Sequence, residues 1–144
     1  MDASTPFTPA ERRFGWFMRA CAVGFAVTGA MFAARPVGTV ASLNRLPGKS
    51  IPDPTERFWH SMSVAYMATI ALAAWEAANN PRNPGLVPAL LAAKATSSAA
   101  FATNYARSDQ SAYLASAITD GSLFVATTVL AIAAARSRRR AAKA

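Results

Sequence analysis

Two charged residues interrupt stretches that are otherwise free of charge. Lys94 falls within LVPALLAAKATSSAAFATNY, residues 86–105, and Asp120 falls within residues 112–135. If both stretches are helices crossing a bilayer, their depth follows from helical rise. Lys94 lies eleven residues before Tyr105 and Asp120 lies nine after Ser111. At about 1.5 Å per residue both charges then sit roughly 15 Å from the same boundary, near the midplane. Adjacent antiparallel helices bring them level, so Lys94 and Asp120 are expected to pair. A lone charge at that depth costs about 2.5–3.5 kcal/mol on insertion scales. Pairing offsets the cost, whether or not the pair is net stabilising.

Hydroxyl groups surround the expected pair. Ser97, Ser98 and Phe101 share the helical face of Lys94, while Ser116 and Thr127 share that of Asp120. Such hydroxyls complete the hydrogen bonds that an ion pair leaves open. Two readings follow. In the first, the pair is a proton or ion relay, or a counter-charge for a zwitterionic or anionic substrate. In the second, it is a clasp that fixes helix register or meets another subunit.

Other chemistry is closed off by what the chain lacks. Cys21 is the only cysteine and His60 the only histidine. A disulfide within the chain, a zinc or iron–sulfur cluster and bis-histidine haem ligation are therefore excluded. No nucleophile–base set is visible, and the expectation is a protein without catalytic residues, metal or cofactor. His60 reads as an interfacial hydrogen-bonder. Glu76 reads as a boundary salt-bridge partner, at a depth similar to Arg13 and Arg19.

The elements that position these residues are four apolar runs, about 14–35, 58–76, 86–105 and 112–135. A span needs about 20 predominantly apolar residues. The second run meets that clearly and the first meets it with its aromatic lead-in. The third and fourth meet it if one charge each is tolerated. Trp16, Trp59, Trp75, Tyr105 and Tyr113 fall near the expected boundaries, as amphipathic rings at headgroup level do. A soluble bundle would need polar faces at helical period, yet no Lys, Arg, Asp or Glu occurs between Ser61 and Trp75. A cleaved signal peptide fits poorly, because the lead contains Asp2 and Glu11 and no good cleavage site follows.

Helix starts are legible. Thr8-Pro9-Ala10-Glu11 and Asp53-Pro54-Thr55-Glu56 are capping boxes with proline at the first helical position. Ser108-Asp109-Gln110-Ser111 is a weaker cap before the fourth run. Residues 79–85, NNPRNPG, form a turn. Residues 36–52 form a long loop across the membrane surface. Ala22, Ala26, Ala30 and Ala34, with Gly29 and Ala33 alongside, form a small-residue stripe that permits close helix packing.

The net charge is +8, owed largely to a basic tail, residues 136–144. Arg136, Arg138, Arg139, Arg140 and Lys143 are expected to meet anionic lipid headgroups. No motif beyond charge supports nucleic acid. Nine basic residues at the N-terminus, second turn and C-terminus face five on the opposite side, which places both termini in the cytoplasm. The expectation is an all-α integral membrane protein: one antiparallel four-helix transmembrane bundle spanning residues 1–144, in a bacterial plasma (inner) membrane. With no catalytic constellation, it would act as an accessory subunit or assembly factor of a larger membrane complex, through other subunits or self-association. The alternative is a small oligomeric carrier or channel using Lys94 and Asp120.

Overall fold

The computed structural model describes residues 6–50, 57–83 and 85–143, with backbone alone for residues 57–60. The described residues are helical, with no strand: α1 (Pro9–Ala34), α2 (Pro36–Leu43), α3 (Arg57–Asn79), α4 (Leu86–Ser108) and α5 (Ser111–Ala141). Three of them, α1, α4 and α5, are long and apolar enough to cross a membrane. The 23-residue α3 is long enough but falls outside that set, although its sequence had seemed the clearest span. Ser61, Ser63, Tyr66, Thr69, Trp75 and Glu76 dilute its apolar residues. The capping box at Asp53–Glu56 and the side chains of Trp59 and His60 lie outside the described residues.

Helix α1 starts where its capping box directs. The Thr8 hydroxyl accepts from Glu11 N at 3.2 Å, and the Glu11 carboxylate accepts from Thr8 N at 2.8 Å. Two orphan donors of the first turn are thereby satisfied. The helix stops at Pro36, which has no N–H to give. Arg35 leaves helical geometry there, and Pro36 opens α2 inside the stretch read from sequence as a loop. The Thr39 hydroxyl sits 2.9 Å from Arg35 O and 3.0 Å from Met31 O, covering carbonyls exposed at the break.

The tetrad Ser108–Ser111 works differently from its sequence reading. Ser108 is the last residue of α4 and donates back to Asn104 O. Asp109 takes the left-handed conformation, φ 58°, and closes α4, a geometry that Asp tolerates better than most residues. Gln110 precedes α5 without a side-chain cap, because its amide donates instead to Ser50 O at 2.9 Å. Gly48, φ 114°, packs against Ser111 so closely that a Cβ would overlap the serine hydroxyl. These two contacts fasten the long loop to the α4–α5 turn.

The helices pack in a closed order: α1 on α3, α3 on α4, α4 on α5, and α5 back on α1. Gly15 meets Ala78 and Gly29 meets Met67 across the α1–α3 face, and a Cβ at either glycine would come within 3.0 Å of its neighbour. These two helices therefore run antiparallel. Together with buried Met18 and Ala22, the glycines form an inner seam with gaps of three, four and seven residues, the heptad-like spacing that keeps two helices in register. The small-residue stripe contributes to this seam only in part. Of the predicted set only Ala22 and Gly29 are buried, while Ala26, Ala30, Ala33 and Ala34 are exposed.

The core is built from Phe14, Met18, Ile70, Leu90 and several alanines. Outside it stand Trp16, Val23, Leu72, Ile118, Val125 and Val129, each more than half exposed. Alanines fill much of the interior between the few large core side chains, while many large apolar residues stand outside, more than a water-soluble domain of this size exposes. That arrangement suits a lipid solvent, where close backbone approach rather than hydrophobic expulsion holds helices together.

Candidate functional site

The Lys94–Asp120 pair forms. Lys94 Nζ donates to Asp120 Oδ1 at 2.8 Å, with both residues buried. Ser97 donates to Asp120 Oδ2 and also lies 3.3 Å from Lys94 O. Lys94 Nζ sits 4.3 Å from the centroid of Phe25 on α1, a cation–π contact that adds to the Asp120 bond. The Tyr66 hydroxyl of α3 donates to Ala93 O at 3.3 Å, one residue from Lys94. All four long helices thus converge at this level.

The α4–α5 register that makes the pair is held at three places. Ser98 donates to Ala117 O at 2.8 Å. Gly121 leaves Ser98 room, since a Cβ there would lie 3.2 Å from its hydroxyl. Nearer the connecting turn, Phe101 stacks on Tyr113 with centroids 6.3 Å apart. Of the hydroxyls expected around the pair, Ser97 reaches it and Ser98 ties the backbones. Ser116 does neither: it donates to Ala112 O within its own helix at 2.9 Å. Thr127 is buried, two turns along α5 from Asp120.

A second cluster gathers where α1 begins. Glu11 is 1 % exposed and receives Arg82 Nε at 2.8 Å and Arg82 Nη2 at 3.2 Å. Arg82 also donates to Pro6 O and lies over the Phe7 ring. Arg138, on the last turns of α5, brings Nη1 within 4.0 Å of Glu11 Oε1. The N-terminal end of α1, the turn at residues 80–83 and the C-terminal end of α5 therefore share one end of the molecule. Glu11 lies ahead of the apolar run that starts at Phe14. The Arg82 hydrogen bond holds its carboxyl below the ordinary carboxylate range, against the opposing effect of burial.

This cluster escaped the sequence reading because its three members are far apart in the chain. Glu11 had already been accounted for as a capping residue, and Arg82 and Arg138 as topology charges. Glu76, expected to form the boundary salt bridge, is exposed and pairs with neither Arg13 nor Arg19. Arg19 instead approaches Asn79 Oδ1 at 3.5 Å and lies over Trp16. The basic tail is not a separate segment: α5 continues through Arg136, Arg138, Arg139 and Arg140 to Ala141, and Lys143 follows in a turn. No group of three or more metal-ligating side chains occurs among the described residues. No protein-family model matches this chain, and neither the curated proteins nor the solved structures give a match.

Proposed function

We infer that this chain is a non-catalytic multi-pass membrane protein that serves as an accessory subunit or assembly factor of a larger membrane complex. The observation that carries the reading is the closure of the Lys94 site. Lys94 is taken up by Asp120 and Phe25, and Asp120 by Lys94 and Ser97. Groups that bind a passing ion or substrate keep their charge open to it; here each charge is met within the chain, Lys94 by Asp120 and the Phe25 ring, and each Asp120 oxygen by one donor. A register clasp uses them in this way. The large apolar residues outside the small-residue core supply a surface for lipid and for neighbouring helices.

In this reading all four long helices cross a bacterial plasma (inner) membrane as an antiparallel bundle, α3 included because it is 23 residues long and packs between α1 and α4. Both termini lie in the cytoplasm, and the basic end of α5 rests among anionic headgroups. In a Cys21→Ala background, Ser42→Cys should be labelled by an impermeant thiol reagent on intact cells and Ser137→Cys should not. Labelling at 137 would reverse the orientation.

The functional test is the double variant Lys94→Met/Asp120→Leu. A clasp predicts that it still co-purifies, in mild detergent, with the membrane subunits that accompany the wild type in fixed ratio. A stable double variant that keeps its assembly but abolishes an ion or solute flux measured in reconstituted vesicles would establish the carrier reading instead.

A further inference from the structure

We propose that the groove between α4 and α5 at the Glu11 end is a binding site for one anionic phospholipid, with its phosphodiester on Arg138 and Arg82. The proposal rests on the membrane reading above. The groove has a volume of about 270 Å³ and an apolar floor that includes Phe14, Val87, Ala131 and Ala135. Its rim carries Arg82, Asn83 and Arg138. An apolar trough opening onto a polar rim matches an acyl chain below a headgroup.

Charge selects the headgroup. Among the described residues Glu11 is the carboxylate both guanidiniums face, and Arg138 makes no hydrogen bond to it, so the positive charge of Arg138 is left for the negative charge of a phosphodiester. The arginines are unequally committed. Arg82 holds Glu11 through two hydrogen bonds. Arg138 stands 4.0 Å away, too far for one, and no described residue accepts a hydrogen bond from it. Its planar fork of donors is therefore free for phosphate oxygens, the acceptors that guanidinium geometry suits. Arg139 and Arg140 are exposed and line no part of this groove, so they distinguish a built site from general attraction to a charged surface.

The test is native mass spectrometry of the full chain, purified from vesicles holding equal phosphatidylglycerol and phosphatidylcholine. One phosphatidylglycerol should be retained in preference to phosphatidylcholine. Arg138→Gln should weaken retention about fivefold, the effect of roughly one surface-proximal basic residue, and Arg139→Gln should leave it unchanged. Ala135→Phe, which fills the trough without changing charge, should reduce retention as well.

Equal losses from Arg138→Gln and Arg139→Gln would overturn the site in favour of diffuse attraction. Displacement by millimolar inorganic phosphate would overturn it in favour of a soluble anion. Recovery of the chain in the supernatant after a carbonate wash would overturn the membrane reading and the site together. Recovery in the pellet without selective retention would overturn the site alone.

Discussion

Lys94 and Asp120 meet at 2.8 Å well inside α4 and α5, and Arg82 meets Glu11 at the same distance where α1 begins. The contacts are alike; their surroundings are not. Glu11 has a second arginine within 4.0 Å and a capping bond to Thr8, and its partner Arg82 retains some exposure, 17 % of its side chain. Losing one member leaves others, and water, to answer the charge. Asp120 has Lys94 and one serine, and Lys94 has Asp120 and a ring face. Stranding either leaves a charge with no second ion among the described residues to answer it. Redundancy, not bond length, separates a tolerant ion pair from an intolerant one.

The largest effect should therefore fall on the mid-helix pair. Lys94→Met alone strands the Asp120 carboxylate and Asp120→Leu alone strands the Lys94 ammonium. Each should cost about 3–5 kcal/mol, the range for breaking a buried pair. The double variant removes both charges and should be less damaging than either single change. Thermal unfolding in detergent of the wild type, both singles and the double measures the coupling. Additive losses would mean that the pair carries no interaction energy, and the contrast with the end cluster would collapse.

Glu11→Gln should act next, at about 1.5–3 kcal/mol for hydrogen bonds made to a charged group. It should also change the response to acid. The Glu11 carboxyl is lowered below its ordinary value of 4.5 by Arg82, so the folded state favours the ionised form. The resulting stability is present above the unfolded value and is lost as pH falls through the lower, folded one. Unfolding midpoints recorded from neutral pH downward should show that loss in the wild type and a shallower one in Glu11→Gln. Parallel profiles would remove Glu11 from the acid response.

The α1–α3 seam connects the two charged regions, and its glycines offer a test with an internal control. Gly15→Ala would bring a Cβ within 3.0 Å of Ala78 O, a backbone atom that cannot swing aside. A cost of about 1–3 kcal/mol is expected, as for other overpacked sites. At Gly24 a Cβ meets nothing within 4 Å, so Gly24→Ala should be neutral or stabilise by up to about 1 kcal/mol. Melting temperatures of the two variants should move in different directions. Equal shifts would mean that the seam is not tightly packed.

What could be read from the chain in advance follows the range over which each signal acts. Capping of α1 is a matter of four neighbouring residues, Thr8 to Glu11, and it was legible in full. The Lys94–Asp120 pairing was legible because helical rise alone sets both depths. Contacts between helices were not. Nothing in the sequence marks Phe25 as the ring against Lys94, or joins Glu11 to residues 82 and 138. Within the chain, α1 packs along Gly15, Met18, Ala22 and Gly29 and not along the whole alanine stripe, because alanine occupies 35 of 144 positions and offers several stripes at similar spacing. Which one packs depends on the partner helix. Pro36 in sequence reads as the start of a loop, yet proline also fits the first turn of a new helix, and α2 uses it there.

The smallest expected effect separates two serines that the sequence treats alike. Ser97 and Ser116 both lie on helix faces that carry a member of the charge pair. Only Ser97 delivers its proton to Asp120; Ser116 returns its own to Ala112 O one turn back. Ser97→Ala should withdraw one of the donors that hold the carboxylate, at about 0.5–1.5 kcal/mol or somewhat more for a charged acceptor. Ser116→Ala removes a bond within the helix whose carbonyl already serves the backbone, and should stay within about 0.5 kcal/mol of wild type. The decisive comparison places each change in the Lys94→Met background. With its lysine gone, Asp120 depends more heavily on Ser97, so the cost of Ser97→Ala should rise there while that of Ser116→Ala does not. Detergent melts of the four variants supply the numbers. If both serines cost the same in both backgrounds, Ser97 is not part of the clasp, and the mid-helix pair has less internal support than its geometry indicates.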